Sequence, residues 1–182
     1  SYMKKKIIIT GGLGYIGTEL CKLYSGVSWH HNVTVVDNRF ISERVNQLRN
    51  WNIEFVQGDI LDTELIKKYC SDADVIHHLA GITEVPRTKT ESSKDQDEKI
   101  KEVGIKGTQN ILDVMKKNCK IIFPSTHVVY EGINQIKTDI KEDEATKPVL
   151  SYSSSKALNE DQLKKSGKNF VILRLGSVYG YS

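Results

Sequence analysis

The sequence has only three cysteines, no long apolar run and little net charge, and each of these absences excludes a class of protein. The cysteines are far apart, odd in number and without a Cys-x-x-Cys pair, so they indicate neither a disulfide framework nor a zinc site. No run approaches the roughly 18 apolar residues of a membrane span. A net charge of +3 is too small to indicate nucleic-acid binding. We therefore expect a cytoplasmic protein without a metal site, and with neither membrane nor nucleic acid as a partner.

Short apolar runs alternate with segments of helical spacing along the chain. The 182 residues, 38% hydrophobic and 27% charged, suit one globular domain with a full core. Alternating strands and helices imply right-handed parallel crossovers, and hence a doubly wound α/β sheet with the strand order 3-2-1-4-5-6. The six predicted strands lie within residues 7–9, 33–36, 53–56, 73–81, 120–130 and 169–175.

A glycine turn follows the first predicted strand directly. Residues 7–9, all isoleucine, are typical of a strand buried on both faces of a parallel sheet. Three glycines then stand three residues apart, at Gly11, Gly14 and Gly17. Tyr15 and Ile16 begin a segment of helical spacing. A strand-to-helix turn needs one or two glycines for steric reasons alone, but glycine also lets the backbone and the amino end of a helix approach phosphates. The turn therefore predicts dinucleotide binding.

Asp37 strengthens this prediction by its position. It ends the second apolar run, about 20 residues beyond the last glycine, where a dinucleotide fold places an acid on the adenosine ribose hydroxyls. A carboxylate accepts hydrogen bonds from a free ribose 2′-OH but repels a 2′-phosphate, so NAD is favoured over NADP. Arg39 is the opposing observation, because it is able to turn toward a 2′-phosphate. An exposed loop charge is its simpler interpretation.

Tyr152 and Lys156 are spaced to share one face of a helix predicted over residues 151–165. A nearby ammonium favours the phenolate, which then exchanges protons with an alcohol or carbonyl. Such a pair in isolation is most often a surface pair, but this one follows the fifth strand of a predicted dinucleotide fold. Thr126 lies at the carboxyl end of that strand, where its hydroxyl is able to donate to the same substrate oxygen. With NAD as hydride acceptor, the three residues suit oxidation of a carbinol.

At this point the chain resembles the extended short-chain dehydrogenase/reductase family, in its NAD-dependent epimerase/dehydratase branch acting on nucleotide sugars. The motifs that carry the resemblance span nearly the whole chain: residues 10–17 (TGGLGYIG), Asp37, Gly58-Asp59, residues 78–81 (HLAG), Ser125-Thr126, residues 152–156 (YSSSK) and residues 174–180 (RLGSVYG). The resemblance implies a Rossmann fold and a nucleotide-sugar substrate. It also implies a homodimer formed through the helices around residues 99–117 and 151–165.

The resemblance assigns a role to each predicted site residue. Tyr152 is implied as the acid/base, with Lys156 also holding the nicotinamide ribose and Thr126 completing the catalytic set. Asp59 and Ile60 are implied to flank the adenine. The full predicted set of cofactor-binding residues is Gly11, Gly14, Tyr15, Ile16, Asp37, Asn38, Asp59, Ile60, Leu79, Ala80, Gly81 and Lys156.

Several departures from the family pattern narrow the choice among the family's reactions. Gly104 and Ser177 stand where the family often has asparagine, which affects the substrate region. The sugar 4,6-dehydratases carry Asp-Glu directly after the catalytic threonine, whereas here His127 and Val128 follow Thr126. An acid that protonates a departing hydroxyl is missing from that place, which disfavours dehydration.

These observations predict an NAD-dependent nucleotide-sugar epimerase. The alternatives are a net dehydrogenase or reductase acting on nucleotide sugars, or a non-catalytic NAD-binding module. Family members continue well past the Val-Tyr-Gly motif, so we expect residues 1–182 to be the cofactor domain, with the substrate domain lying outside this chain.

Overall fold

The computed structural model of the chain describes residues 3–27, 29–80, 94–125 and 158–174. A six-stranded parallel sheet has the order β3-β2-β1-β4-β5-β6, which confirms the predicted doubly wound fold. The strands are β1 (Lys5–Thr10), β2 (His31–Asp37), β3 (Glu54–Gln57), β4 (Val75–His78), β5 (Lys120–Ser125) and β6 (Asn169–Arg174). The helices are α1 (Tyr15–Ser25), α2 (Ser42–Asn50), α3 (Thr63–Cys70), α4 (Lys94–Val114) and α5, which is helical over residues 158–165. Among these described helices, none is long and apolar enough to cross a membrane.

Successive residues of β1 point to opposite faces of the sheet, and each face carries its own hydrophobic core. Ile8 belongs to the core formed with α3, α4 and α5, together with Ile76 of β4 and Ile121 of β5. Ile7 and Ile9 belong to the core formed with α1 and α2. The uninterrupted β-branched run is therefore buried on both sides, as expected for a central strand of a parallel sheet.

Helix α2 was not part of the sequence prediction, because its polar composition hides its buried face. Only Val45 and Leu48 of its nine residues are buried. Two apolar residues three positions apart are too few to show a helical period. Helix α3, in contrast, begins at a typical capping residue, because the Asp62 side chain accepts a 3.2 Å hydrogen bond from the backbone N–H of Leu65.

Helix α4 passes close to the turn after β3 at Gly107. A Cβ atom on Gly107 would lie 2.2 Å from the Cδ1 atom of Ile60, so this glycine marks close packing. Ile60 is buried, and its carbonyl accepts a 3.0 Å hydrogen bond from the side chain of Asn110. The turn that follows β3 is thereby fixed against α4.

The adjacent histidines of β4 point to opposite faces of the sheet, and each is packed and hydrogen bonded. The Nε2 atom of His77 lies 2.6 Å from the hydroxyl of Tyr24 in α1. His78 is buried on the other face, between Thr10 and Thr108. Across the described ranges, no group of three His, Cys, Asp or Glu side chains is arranged to hold a metal ion.

Burial makes His77 a source of acid sensitivity. Desolvation lowers the pKa of His77 from 6.5 to about 4, so the unfolded chain binds this proton at a higher pH than the folded chain does. The contribution to stability is therefore complete above pH 6.5. It is lost as the pH falls toward 4, by at most about 3 kcal/mol.

We expect the His77→Gln variant to lose this part of the pH dependence, since glutamine does not titrate and still offers Tyr24 a hydrogen-bond partner. Between pH 7 and pH 4.5, the free energy of unfolding of the wild type should fall by about 2 kcal/mol more than that of the variant. Urea unfolding at both pH values measures the difference. His31→Gln serves as the control and should keep the wild-type dependence. An equal dependence in wild type and His77→Gln would show that His77 is not the source.

Candidate functional site

The carboxyl ends of the first four strands bring the predicted cofactor residues that the structure describes to one edge of the sheet. The turn after β1 carries residues 11–16, β2 ends in Asp37, the turn after β3 carries residues 59–60, and β4 is followed by residues 79–80. In open α/β sheets, ligands bind at this edge. Four of the predicted residues, Gly81, Thr126, Tyr152 and Lys156, lie outside the described residues.

Gly11 is required by the backbone. Its φ angle is +70°, a conformation that side chains with a Cβ rarely adopt. A Cβ atom there would also lie 2.7 Å from the backbone nitrogen of Ala80. The N–H of Gly11 donates a 2.8 Å hydrogen bond to the carbonyl of Val36 in β2. Gly11 therefore joins the turn to both strands that flank β1.

Gly12 and Gly17 are required by packing. A Cβ atom on Gly17 would lie 2.5 Å from the Cα atom of Gly12, and one on Gly12 would lie 2.6 Å from the Cγ1 atom of Val35. The first turn of α1 thus rests directly on the glycine turn. Gly12 was not among the predicted site residues, although the consecutive glycines after Thr10 were a signal that could have identified it.

Gly14 differs from the other glycines of the turn because nothing within the described protein requires it. Its φ and ψ angles of −73° and 177° suit any residue. The atoms nearest to a Cβ there would be the carbonyl oxygen of Gly11 at 3.6 Å and Nη2 of Arg39 at 3.8 Å. Gly14 is also the N-cap of α1, where no side chain caps the helix. The missing side chain leaves space at the positive end of a helix, which fits a phosphate group.

Asp37 is buried and both of its carboxylate oxygens accept hydrogen bonds. Oδ2 accepts from the backbone N–H of Leu13 at 3.1 Å. Oδ1 accepts from the backbone N–H of Arg39 at 2.9 Å. The guanidinium of Arg39 adds Nε to Oδ1 and Nη2 to Oδ2, each at 3.1 Å. Asp37 thus ties the glycine turn to the end of β2. Arg39 lies in the loop after β2 and is exposed, in agreement with its simpler interpretation, but it also forms an ion pair with Asp37.

The remaining predicted cofactor residues differ in exposure. Tyr15 is 61% exposed, while Ile16 is half-buried against the core under α1. Asn38 and Asp59 are exposed, whereas Leu79 is buried and Ala80 half-buried. The Asp59 side chain accepts a 2.9 Å hydrogen bond from the backbone N–H of Leu61. Their roles at the cofactor remain predictions.

A buried chain of hydrogen bonds runs from this edge into α4 and α5. The hydroxyl of Thr10 lies 2.7 Å from Nδ1 of His78, and Nε2 of His78 lies 2.9 Å from the hydroxyl of Thr108. The side-chain nitrogen of Asn159 in α5 donates to the same hydroxyl at 3.1 Å. All four side chains are at most 1% exposed. We name this set, Thr10, His78, Thr108 and Asn159, the buried polar chain.

The donors and acceptors of the buried polar chain are consistent with one arrangement of protons. Thr108 donates to the carbonyl of Gly104 at 2.7 Å, so its oxygen accepts from Asn159 and from Nε2–H of His78. When the ring is neutral, Nδ1 then accepts from Thr10, whose oxygen accepts from the backbone N–H of Ala80 at 3.2 Å. The buried polar chain therefore connects α5 to the backbone of Ala80, a predicted cofactor residue. Sequence reasoning did not identify Thr108 or Asn159 as part of the site, because their contacts join segments that are far apart in the sequence.

We expect Thr108→Val to destabilise the protein by about 1 to 3 kcal/mol, because it keeps the shape but leaves the buried N–H groups of His78 and Asn159 without this acceptor. The free energy of unfolding in urea measures the effect. Thr63→Val is the matched control, since Thr63 is exposed in the first turn of α3. Its effect should stay within about 0.5 kcal/mol. Equal effects of the two substitutions would contradict a stabilising buried polar chain.

The chain belongs to the NAD dependent epimerase/dehydratase family, whose family model matches residues 7–182. This match confirms the resemblance inferred from the motifs. The family's dependence on NAD also confirms the predicted cofactor.

Relatives within the family have different activities. A dTDP-D-glucose 4,6-dehydratase of Dictyostelium discoideum is 30% identical, and the match covers 97% of this chain and 44% of that protein. A UDP-N-acetyl-alpha-D-glucosaminuronate decarboxylase of Bacillus cytotoxicus is 32% identical, covering 98% and 56%. A CDP-paratose 2-epimerase of Salmonella typhi is 31% identical, covering 96% and 58%. The chain spans about half the length of these relatives, and they act on nucleotide sugars in more than one way.

Solved structures show the same fold. The Bordetella bronchiseptica enzyme WbmH in complex with NAD+ superposes with a TM-score of 0.67 at 28% identity, and the match covers 94% of this chain and 56% of that one. The doubly wound sheet of this chain is therefore also the fold of an enzyme whose structure was solved in complex with NAD+.

Proposed function

We propose that residues 1–182 form the NAD-binding domain of a nucleotide-sugar epimerase. The observation that carries the proposal is the space at Gly14, which the described protein neither fills nor needs, at the amino end of α1. A dinucleotide supplies the missing occupant, because its pyrophosphate suits a helix amino terminus. Membership of the NAD dependent epimerase/dehydratase family supports the same cofactor.

The residues of the sheet edge suit the parts of NAD. The backbone N–H groups at the start of α1 would face the pyrophosphate, and Asp37 would accept hydrogen bonds from the adenosine ribose. Lys156 would hold the nicotinamide ribose. When bound, NAD supplies the hydride acceptor that makes oxidation of a sugar carbinol reversible.

Tyr152, Lys156 and Thr126 carry the proton chemistry in this proposal. Tyr152 takes the proton of the sugar hydroxyl and later returns it, acting as base and then as acid. The ammonium of Lys156 favours the phenolate form of Tyr152. Thr126 donates a hydrogen bond to the sugar oxygen and holds it in place. The keto-sugar then rotates in the site and is reduced on its other face. The carbinol that forms therefore has the opposite configuration.

Epimerisation is favoured over dehydration by the residues that follow Thr126. Loss of water from the sugar needs an acid to protonate the departing hydroxyl, and His127 and Val128 occupy the positions where dehydratases of the family have Asp-Glu. The 2-epimerase among the relatives shows that the family includes epimerisation.

The nucleotide sugar would be held partly by residues outside this chain, since the relatives are about twice as long. A homodimer remains part of the proposal.

We expect Gly14→Ala to weaken NAD binding at least tenfold while changing stability by about 1 kcal/mol or less. A methyl group there meets no described protein atom closer than 3.6 Å but enters the space proposed for the pyrophosphate. Glycine is preferred to alanine at an N-cap, and the substitution typically costs about 1 kcal/mol or less. Calorimetric titration with NAD and thermal unfolding measure the two effects. Gly26→Ala, at the other end of α1, is the control and should bind NAD as the wild type does. Unchanged affinity in Gly14→Ala would contradict the placement of the phosphates.

We expect Tyr152→Phe to lower kcat at least 100-fold in the complete gene product, because proton transfer by a positioned side chain contributes about 10²- to 10⁴-fold. Proton NMR of UDP-, dTDP- and CDP-sugars follows the change of configuration, and absorbance follows reduced nicotinamide. An epimerase forms the epimer with no net change in reduced nicotinamide. Tyr69→Phe in α3 is the matched control and should retain turnover. Net accumulation of reduced cofactor would instead identify a dehydrogenase, and undiminished turnover by Tyr152→Phe would contradict its catalytic role.

A further inference from the structure

The ion pair between Arg39 and Asp37 covers the carboxylate that the proposed function assigns to the adenosine ribose. The Asp37 side chain is only 3% exposed, whereas that of Arg39 is 49% exposed. The guanidinium forms two parallel hydrogen bonds with the carboxylate, Nε to Oδ1 and Nη2 to Oδ2. This is the bidentate geometry that makes arginine a strong partner for a carboxylate.

The hydrogen bonds of Asp37 leave no room for the ribose while Arg39 stays in place. An ionised carboxylate offers about four lone-pair sites. The backbone N–H groups of Leu13 and Arg39 use two of them, and the guanidinium uses the other two. The backbone donors are held by the glycine turn and by the loop that directly follows β2. Ribose hydroxyls are therefore able to bind Asp37 only at the sites that the guanidinium gives up.

The position of the guanidinium also indicates where it would move when ribose hydroxyls displace it from Asp37. Its Nη2 atom lies 3.8 Å from the place of a Cβ on Gly14, between Asp37 and the open amino end of α1. A guanidinium displaced from Asp37 would stay near the bound ribose, because Arg39 is only two residues beyond Asp37. In the proposed function this is the neighbourhood of the adenosine ribose, whose 2′ position carries a hydroxyl in NAD and a phosphate in NADP. Arg44 points elsewhere, since its guanidinium donates to the carbonyl of Leu13 and lies 3.4 Å from the hydroxyl of Thr18.

We propose that Arg39 sets the cofactor preference of this site, competing with the adenosine ribose of NAD for Asp37 and pairing with the 2′-phosphate of NADP. The inference rests on the proposed cofactor function. Asp37 alone predicts strong rejection of NADP, because its carboxylate would repel the 2′-phosphate. With Arg39 present, the carboxylate is already neutralised and a cation is available to the phosphate. The chain therefore binds NADP measurably, and binds NAD more weakly than Asp37 alone would allow.

The test is calorimetric titration of the wild-type chain and of Arg39→Met with NAD and, separately, with NADP. Methionine keeps an unbranched side chain but removes the charge and the two hydrogen bonds. We expect the Kd for NAD to fall about threefold to tenfold and the Kd for NADP to rise at least tenfold. Arg49→Met is the matched control, because Arg49 is exposed at the end of α2 and lies near the amino ends of β1 to β3. It should leave both affinities unchanged.

Arg39→Lys separates the charge from the bidentate geometry. Lysine keeps a cation near the 2′ position but lacks the planar fork. It should keep the affinity for NADP within about threefold of the wild type and still gain affinity for NAD. Loss of NADP affinity as large as in Arg39→Met would overturn the pairing of the positive charge with the 2′-phosphate.

Two failures are distinguishable. A wild-type chain that binds neither nucleotide, while its circular dichroism shows it folded, overturns the proposed cofactor function and this inference with it. A wild-type chain that binds NAD, together with an Arg39→Met variant whose affinities for both nucleotides are unchanged, overturns the inference alone.

Discussion

The close approach of Gly11 to the backbone of Ala80 is the contact on which the candidate site depends. It brings the turn after β1 within contact of the segment after β4, at a distance that no side chain would allow. The positive φ of Gly11 then turns the backbone toward Gly12. Gly17, in the first turn of α1, packs directly against the backbone of Gly12. The position of the amino end of α1 is therefore set by backbone contacts rather than by flexible side chains. A site built in this way is rigid before any ligand binds.

The buried polar chain extends this rigidity to the other side of the sheet. Thr10 immediately precedes Gly11, and its hydroxyl begins a series of hydrogen bonds that ends at Asn159 in α5. Buried polar groups are costly unless each is satisfied, so such a chain favours one arrangement of α4 and α5 over others of similar hydrophobic burial. Gln162 reinforces the contact, because its side chain donates at 2.9 Å to the carbonyl of Ile105 in α4. In the proposed function, the acid/base pair stands shortly before α5 in the sequence, and the buried polar chain orients α5 relative to the glycine turn.

The parts of the fold that were predictable from the sequence are those that depend on local patterns. The isoleucines of β1, the glycines after it and the Asp62 cap each act over a few residues, and together with the alternation of strands and helices they define the sheet order. The contacts that complete the site act over long separations. Thr10 and His78 are 68 residues apart, and no periodicity connects them. Arg39 shows a different limit, because its proximity to Asp37 was visible in the sequence but the direction of its side chain was not.

The electrostatic character of the edge follows from what α1 lacks. Helices commonly begin with a capping side chain and acidic residues in the first turn, which satisfy the N–H groups and offset the dipole. Helix α1 begins at Gly14 with no side-chain cap and no acid in its first turn. The nearby carboxylate of Asp37 is neutralised by Arg39, so it does not offset the dipole either. The helix therefore begins without the groups that would stabilise it by itself. This arrangement lowers the stability of the free protein. An anion bound at the amino end of α1 offsets that cost, and the gain adds to the affinity of the turn for a phosphate group.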